Sequence, residues 1–68
     1  MNNYRIYRRN ATFNYQEIGV LALNITPRID EYIFFDGSTY QIENIEHLGA
    51  PGQMITNLYC NVVNGFKK

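Results

Sequence analysis

The chain of 68 residues has one cysteine, Cys60, one histidine, His47, two prolines and no tryptophan. A lone cysteine excludes an internal disulfide, and Cys60 with His47 are too few to hold zinc within one chain. No residue pattern calls for a metal or any other cofactor. A chain this short buries only about 60% of the surface its unfolded form exposes, and its core is worth roughly 3–5 kcal/mol. With disulfide and metal excluded, association with other chains is the remaining support. No stretch approaches the roughly 18 apolar residues of a membrane span, and Met1-Asn2-Asn3-Tyr4-Arg5 lacks the apolar run of a secretory signal. These absences lead us to expect a protein with no membrane association, placed in the cytoplasm of a host cell or in a virion. Asn10-Ala11-Thr12 and Asn24-Ile25-Thr26 then read as loops and strand ends rather than glycosylation sites.

An excess of charge of either sign is also missing. Six Lys and Arg balance six Asp and Glu, whereas phosphate binding needs a net positive field, which this chain has only locally. The distribution is uneven. Arg5, Arg8, Arg9, Lys67 and Lys68 lie at the two ends, while Glu17, Asp30, Glu31, Asp36, Glu43 and Glu46 occupy the middle with only Arg28 to offset them. If the terminal segments lie together, the surface is dipolar, which suits head-to-tail assembly or a partner of mixed charge. Signals of catalysis are lacking: there is no Ser-His-Asp set at a recognisable spacing, no Gly-rich phosphate loop, and no pair of acids placed to split their pKa values. Cys60 and His47 would make a nucleophile and base only if the fold brought them together. The ordinary reading of Cys60, in an apolar row, is a buried thiol. The expectation is a non-enzymatic protein.

What the chain does have is β-forming residues. It is 46% hydrophobic with six Tyr and four Phe, and no helical period outlasts a turn. The tract from Pro27 to Ile42 is a hairpin: Asp36-Gly37 suits the positive φ angles of a two-residue primed turn, and its flanks are β-branched and aromatic. That turn fixes the register. Phe35 faces Ser38, Ile33 faces Tyr40 and Glu31 faces Ile42 on the core side, with Phe34 beside Thr39 and Tyr32 beside Gln41 on the outer side. Strict alternation would send Ile45 outward, so one extra residue near Glu43-Asn44 is expected, bending the strand as small barrels require.

Three further strands are expected. In the first, Tyr4 to Arg9, Tyr4 and Ile6 share one face and Arg5, Tyr7 and Arg9 the other. After a loop from Asn10 to Gln16 carrying Phe13 and Tyr15, a strand from Glu17 to Ile25 sets Leu21, Leu23 and Ile25 against Ile18, Val20 and Ala22. Apolar on both faces, it should be central or covered on its second side. Gly19 within it suggests a bulge or a close approach. After the loop Gly49-Ala50-Pro51-Gly52, the strand from Met54 to Val62 turns Met54, Thr56, Leu58, Cys60 and Val62 inward and Asn57, Tyr59 and Asn61 outward. Asn64-Gly65 closes it, and Phe66-Lys67-Lys68 forms a tail. The expected fold class is all-β, a small, partly open, five-stranded antiparallel barrel of the SH3-like kind spanning residues 1–68 as one domain. A flat sheet with one face against another subunit is the alternative.

The run Pro27 to Ile33, followed by Asp36-Gly37-Ser38-Thr39-Tyr40-Gln41-Ile42-Glu43-Asn44-Ile45-Glu46-His47, resembles a pattern of short, uncharacterised β-barrel proteins of bacteria, phages and mobile elements. It covers about a third of the chain. Those proteins often carry Gly where this chain has Asp30, which leaves the turn after Pro27 open. The resemblance implies a barrel and no particular site. The Asn, Ile and Tyr content suits an AT-rich genome.

Two surfaces follow from the alternation. Tyr32 and Phe34, outward on the hairpin, join Ile18 and Val20 as apolar residues without an obvious interior, the kind of patch that marks a protein interface or self-association. The competing reading is a second small cluster with Phe13 or Tyr15 as its lid. Arg5, Tyr7 and Arg9 place an aromatic between two cations, as in small barrels that stack a base and neutralise its phosphates; an edge strand guarded by charge is the plainer reading. The expected function is a protein-interaction module, a small structural or accessory protein of a phage or mobile element or an inhibitor of a host protein. The alternative is a single-strand nucleic-acid binder.

Overall fold

A computed structural model describes residues 2–12, 14–50 and 53–63, with side chains omitted at residues 50, 53 and 54. The elements are β1 (Asn2–Ala11), β2 (Asn14–Leu23), β3 (Tyr32–Phe35), β4 (Ser38–Ala50) and β5 (Gln53–Val62). They form one sheet in the order β2-β1-β5-β4-β3, curled into a half-barrel, with no helix among the described residues. The all-β, partly open, five-stranded barrel is therefore present. Its pairings are antiparallel except β1 with β5, which run parallel, with Ile6 beside Leu58 and Tyr7 beside Tyr59.

The hairpin register is as the turn chemistry dictates. Phe35 pairs with Ser38, Ile33 with Tyr40, Phe34 with Thr39 and Tyr32 with Gln41. Asp36 and Gly37 have φ of 50° and 82°, the left-handed pair of a primed turn. Beyond β3 the pairing persists as single bonds, Ile42 N–H to Glu31 O at 2.9 Å and Asp30 N–H to Ile42 O at 2.8 Å. Asp30 sits at φ 76°, so the turn after Pro27 uses the left-handed region, and Asp, with its short polar side chain, fills it.

Of three register shifts among the described strands, one leaves Asn10 extra where β1 turns into β2, and the other two switch which residues face inward. In β4, Ile42 pairs with Cys60 and Asn44 with Tyr59, leaving Glu43 as the extra residue; Tyr40 and Ile42 point inward before it and Ile45 after it. In β2, Gly19 pairs with Ile6 and Glu17 with Tyr7, leaving Ile18 as the extra residue. Gly19, Leu21 and Leu23 therefore share the inner face with Ile6 and Tyr4, while Tyr15 and Glu17 lie outside. Ile18 is half-buried against the core, which corrects its expected place on the outer patch: the bulge turns it inward. Ile25, expected beside Leu21 and Leu23, lies beyond the end of β2 and is exposed.

The fully enclosed core is Tyr4, Ile6, Tyr40, Ile42, Leu58 and Cys60, with Leu21, Leu23, Ile33, Phe35, Ile45 and Val62 packed around it. β2 is an edge strand of the sheet, so of the two settings its composition allowed, central or covered on its second side, the first is excluded, and β1 is interior. The second edge strand, β3, reaches it across the open side of the barrel. A Cβ placed on Gly19 would lie 2.6 Å from Cζ of Phe35, so the ring of Phe35 occupies the space a side chain on Gly19 would need.

The segment Asn10 to Gln16 is mostly strand, since β1 continues to Ala11 and β2 begins at Asn14. Phe13, Pro51, Gly52, Asn64-Gly65, the tail Phe66-Lys67-Lys68 and the inward placement of Met54 lie outside the described residues or side chains.

Gly19→Ala should destabilise the fold by about 1–3 kcal/mol, by overpacking the closure and by placing a side chain at φ 157°, and Gly19→Ala with Phe35→Leu should recover only the overpacking part of that loss. Urea unfolding of the two single variants and the double variant measures the coupling; independent, additive effects would contradict the close approach.

Candidate functional site

The outer surface near the meeting of β2 and β3 carries the apolar residues next in chain to the closing pair. Val20 is 57%, Phe34 69% and Tyr32 51% exposed. Val20 pairs with Arg5 on the outer face of β1, and Phe34 and Tyr32 alternate with the inward Phe35 and Ile33. Ile25 and Ile29, in the chain that joins these two strands, are exposed as well. The structure thus brings Val20, Tyr32 and Phe34 to the closing edges and removes Ile18 from the set. Tyr15 does not lid this patch.

The second expected surface is assembled on the outer side of β1, with an environment composition did not reveal. Arg5, Tyr7 and Arg9 do share one face. Arg9 Nη2 donates to Glu43 Oε2 at 2.9 Å, Arg5 Nε stands 4.0 Å from Glu17 Oε2, and Tyr7 stacks on Tyr59 with ring centroids 5.0 Å apart. Tyr15 meets Tyr59 edge-on at 4.9 Å and donates to Glu43 Oε1 at 3.1 Å. Tyr59 donates to Glu46 Oε1 at 2.5 Å, and Asn57, 2% exposed, adds its Nδ2 at 3.3 Å to the same oxygen. The Oδ1 of Asn57 is enclosed without a hydrogen-bond partner. Arginine and tyrosine are therefore embedded among carboxylates. The bond from Tyr59, then that from Asn57, holds Glu46 below the ordinary carboxylate range; Tyr59 is raised in turn, by Glu46 first and by burial second. Burial, then the bond to Glu43, raises Tyr15.

The outward Asn57 and Tyr59 were legible from alternation in β5. The participation of Tyr15, Glu43 and Glu46 was not, because each reaches this face only through a bulge or through strands distant in sequence.

Cys60 and His47 are not brought together. Cys60 pairs with Ile42 and His47 with Thr56, four residues apart along β5, or about 13 Å. His47 places Nδ1 3.1 Å from Thr56 Oγ1, and these two residues face the barrel mouth. Both line an open pocket of about 530 Å³ at the barrel mouth with Asn2, Asn3, Tyr4, Thr26, Pro27 and Ile45. Burial pushes the Cys60 thiol up to about 12. No grouping of three or more His, Cys, Asp or Glu side chains suited to a metal occurs among the described residues, and no helix among them is long and apolar enough to cross a membrane.

No known family model matches this chain, and no curated protein or solved structure is similar to it.

The raised Cys60 makes alkaline stability a test of core burial. Its folded form favours the neutral thiol, so the stabilisation is complete below the ordinary value of 9.0 and is lost as pH rises from there toward about 12. Tyr59 and Tyr15 act in the same direction above their ordinary 10.0. The urea midpoint should fall through this range, less steeply in Cys60→Ala, and Cys60 should react with a thiol reagent only after unfolding. Rapid labelling of the folded chain would contradict the burial.

Proposed function

We propose that this chain is a non-catalytic module that works by contact with another protein chain, through the apolar strip of Val20, Tyr32 and Phe34. The observation that carries the reading is the exposure of Phe34 and Tyr32 on a short edge strand. Burying a large apolar side chain is worth roughly 1.5–3 kcal/mol, and with six enclosed hydrophobic side chains among the described residues the chain has few others to leave in water. Strands at sheet edges are also where neighbouring chains add. A small structural or accessory protein of a phage or mobile element, or an inhibitor of a host protein, fits a small barrel with exposed apolar contact residues on its edge strands.

The single-strand nucleic-acid reading of Arg5, Tyr7 and Arg9 has less support. Glu43 and Glu17 stand against the two arginines, and one face of Tyr7 is taken up by Tyr59. A phosphate would have to displace carboxylates already in place.

Tyr32→Ser with Phe34→Ser should leave the fold intact and abolish association, read by sedimentation of the chain alone and with its candidate partner. Loss of the native spectrum would instead place both side chains in the core, and undiminished association would remove them from the interface. Retention on a mixed oligonucleotide column that falls steeply with salt would favour the nucleic-acid reading.

A further inference from the structure

Glu43 and Glu46 are alike in the use of one carboxylate oxygen and different in the other. Each gives Oε1 to a tyrosine hydroxyl, Tyr15 for Glu43 and Tyr59 for Glu46. Glu43 gives Oε2 to the guanidinium of Arg9 at 2.9 Å. Among the described residues Glu46 has no cation beside it, and its Oε2 accepts no hydrogen bond. Glu46 is nevertheless exposed and held in place, with the buried amide of Asn57 bonded to the same oxygen as Tyr59. It opens on a shallow hollow of about 330 Å³ that it lines with Tyr15, Asn44, Ile45 and Tyr59, the two rings inclined at 71°. An ionised carboxylate with one oxygen committed, beside aromatic walls, matches a guanidinium: the cation bonds the remaining oxygen and packs against the rings of Tyr15 and Tyr59, one face of Tyr59 being already covered by Tyr7.

We propose that Glu46, Tyr15, Tyr59 and Asn44 form a receptor for an arginine side chain presented by a partner protein, repeating between chains the contact that Arg9 makes with Glu43 within this one. The proposal rests on the protein-contact reading for the origin of the arginine only, and the site can be tested without the Val20, Tyr32 and Phe34 strip.

The probe is acetyl-arginine amide, titrated at low ionic strength into the isotopically labelled full chain and followed by NMR, with acetyl-citrulline amide as its uncharged counterpart. Saturable shifts centred on Tyr15, Asn44, Glu46 and Tyr59 are expected with arginine and not with citrulline. Glu46→Gln keeps an acceptor for Tyr59 and Asn57 but removes the charge, so binding should weaken at least about tenfold with the rest of the spectrum unchanged. Equal responses to the two probes, shifts centred elsewhere, or no response in the unsubstituted chain would each overturn the site, none of which needs a variant to fold. Undiminished binding by a folded Glu46→Gln would do so too. Tyr32→Ser with Phe34→Ser should leave this titration unchanged, so failure of the strip and failure of the arginine site are separable.

Discussion

The ring of Phe35 over Gly19 is the contact on which the shape depends. Five strands in the order found here would otherwise make an open sheet with two unrelated edges. Because Gly19 has no Cβ, the far edge strand can set an aromatic ring against the backbone of the near one, and the apolar faces of all five strands enclose one core. The bulges at Ile18 and Glu43 supply the bending that lets those edges approach. Closure is by packing, so β2 and β3 come together without a hydrogen-bonded ladder between them.

The same bulges organise the outer face. Each shifts the alternation by one residue, so the strand that turns Tyr40 and Ile42 inward can send Glu43, Asn44 and Glu46 outward, and the strand that turns Leu21 and Leu23 inward can send Tyr15 and Glu17 outward. Tyr59, central in β5, then gathers Tyr7, Tyr15 and Glu46 around it. The curl that protects the core and the polar, aromatic outer face therefore share one cause.

Much of this was legible in the sequence because it rested on local chemistry. Asp36-Gly37 fixed its own turn, the turn fixed the hairpin register, and the step from Ile42 to Ile45 gave away the bulge between them. The bulge in β2 was only half visible: Gly19 pointed to it, but the apolar side chains on both sides of β2 suggested a strand that is central or covered on its second side, whereas Ile18 is turned in by the bulge and Val20 is left out. Strand order was not legible. The parallel pairing of β1 with β5 joins residues more than fifty positions apart, and nothing in either strand marks its partner. The polar face was obscured for the same reason, since Arg9 and Glu43 are 34 residues apart.

That parallel pairing also orders the assembly of the molecule in time. β1 is interior only because β5 lies beside it, and β5 is the last of these five strands in chain order. Until β5 pairs, the β1–β2 hairpin has no lasting place to bury Tyr4 and Ile6, and a lone two-stranded hairpin is marginal in water. The pairing that shelters β1 thus joins residues more than fifty positions apart, the kind of non-local contact that makes folding slower than local contacts do.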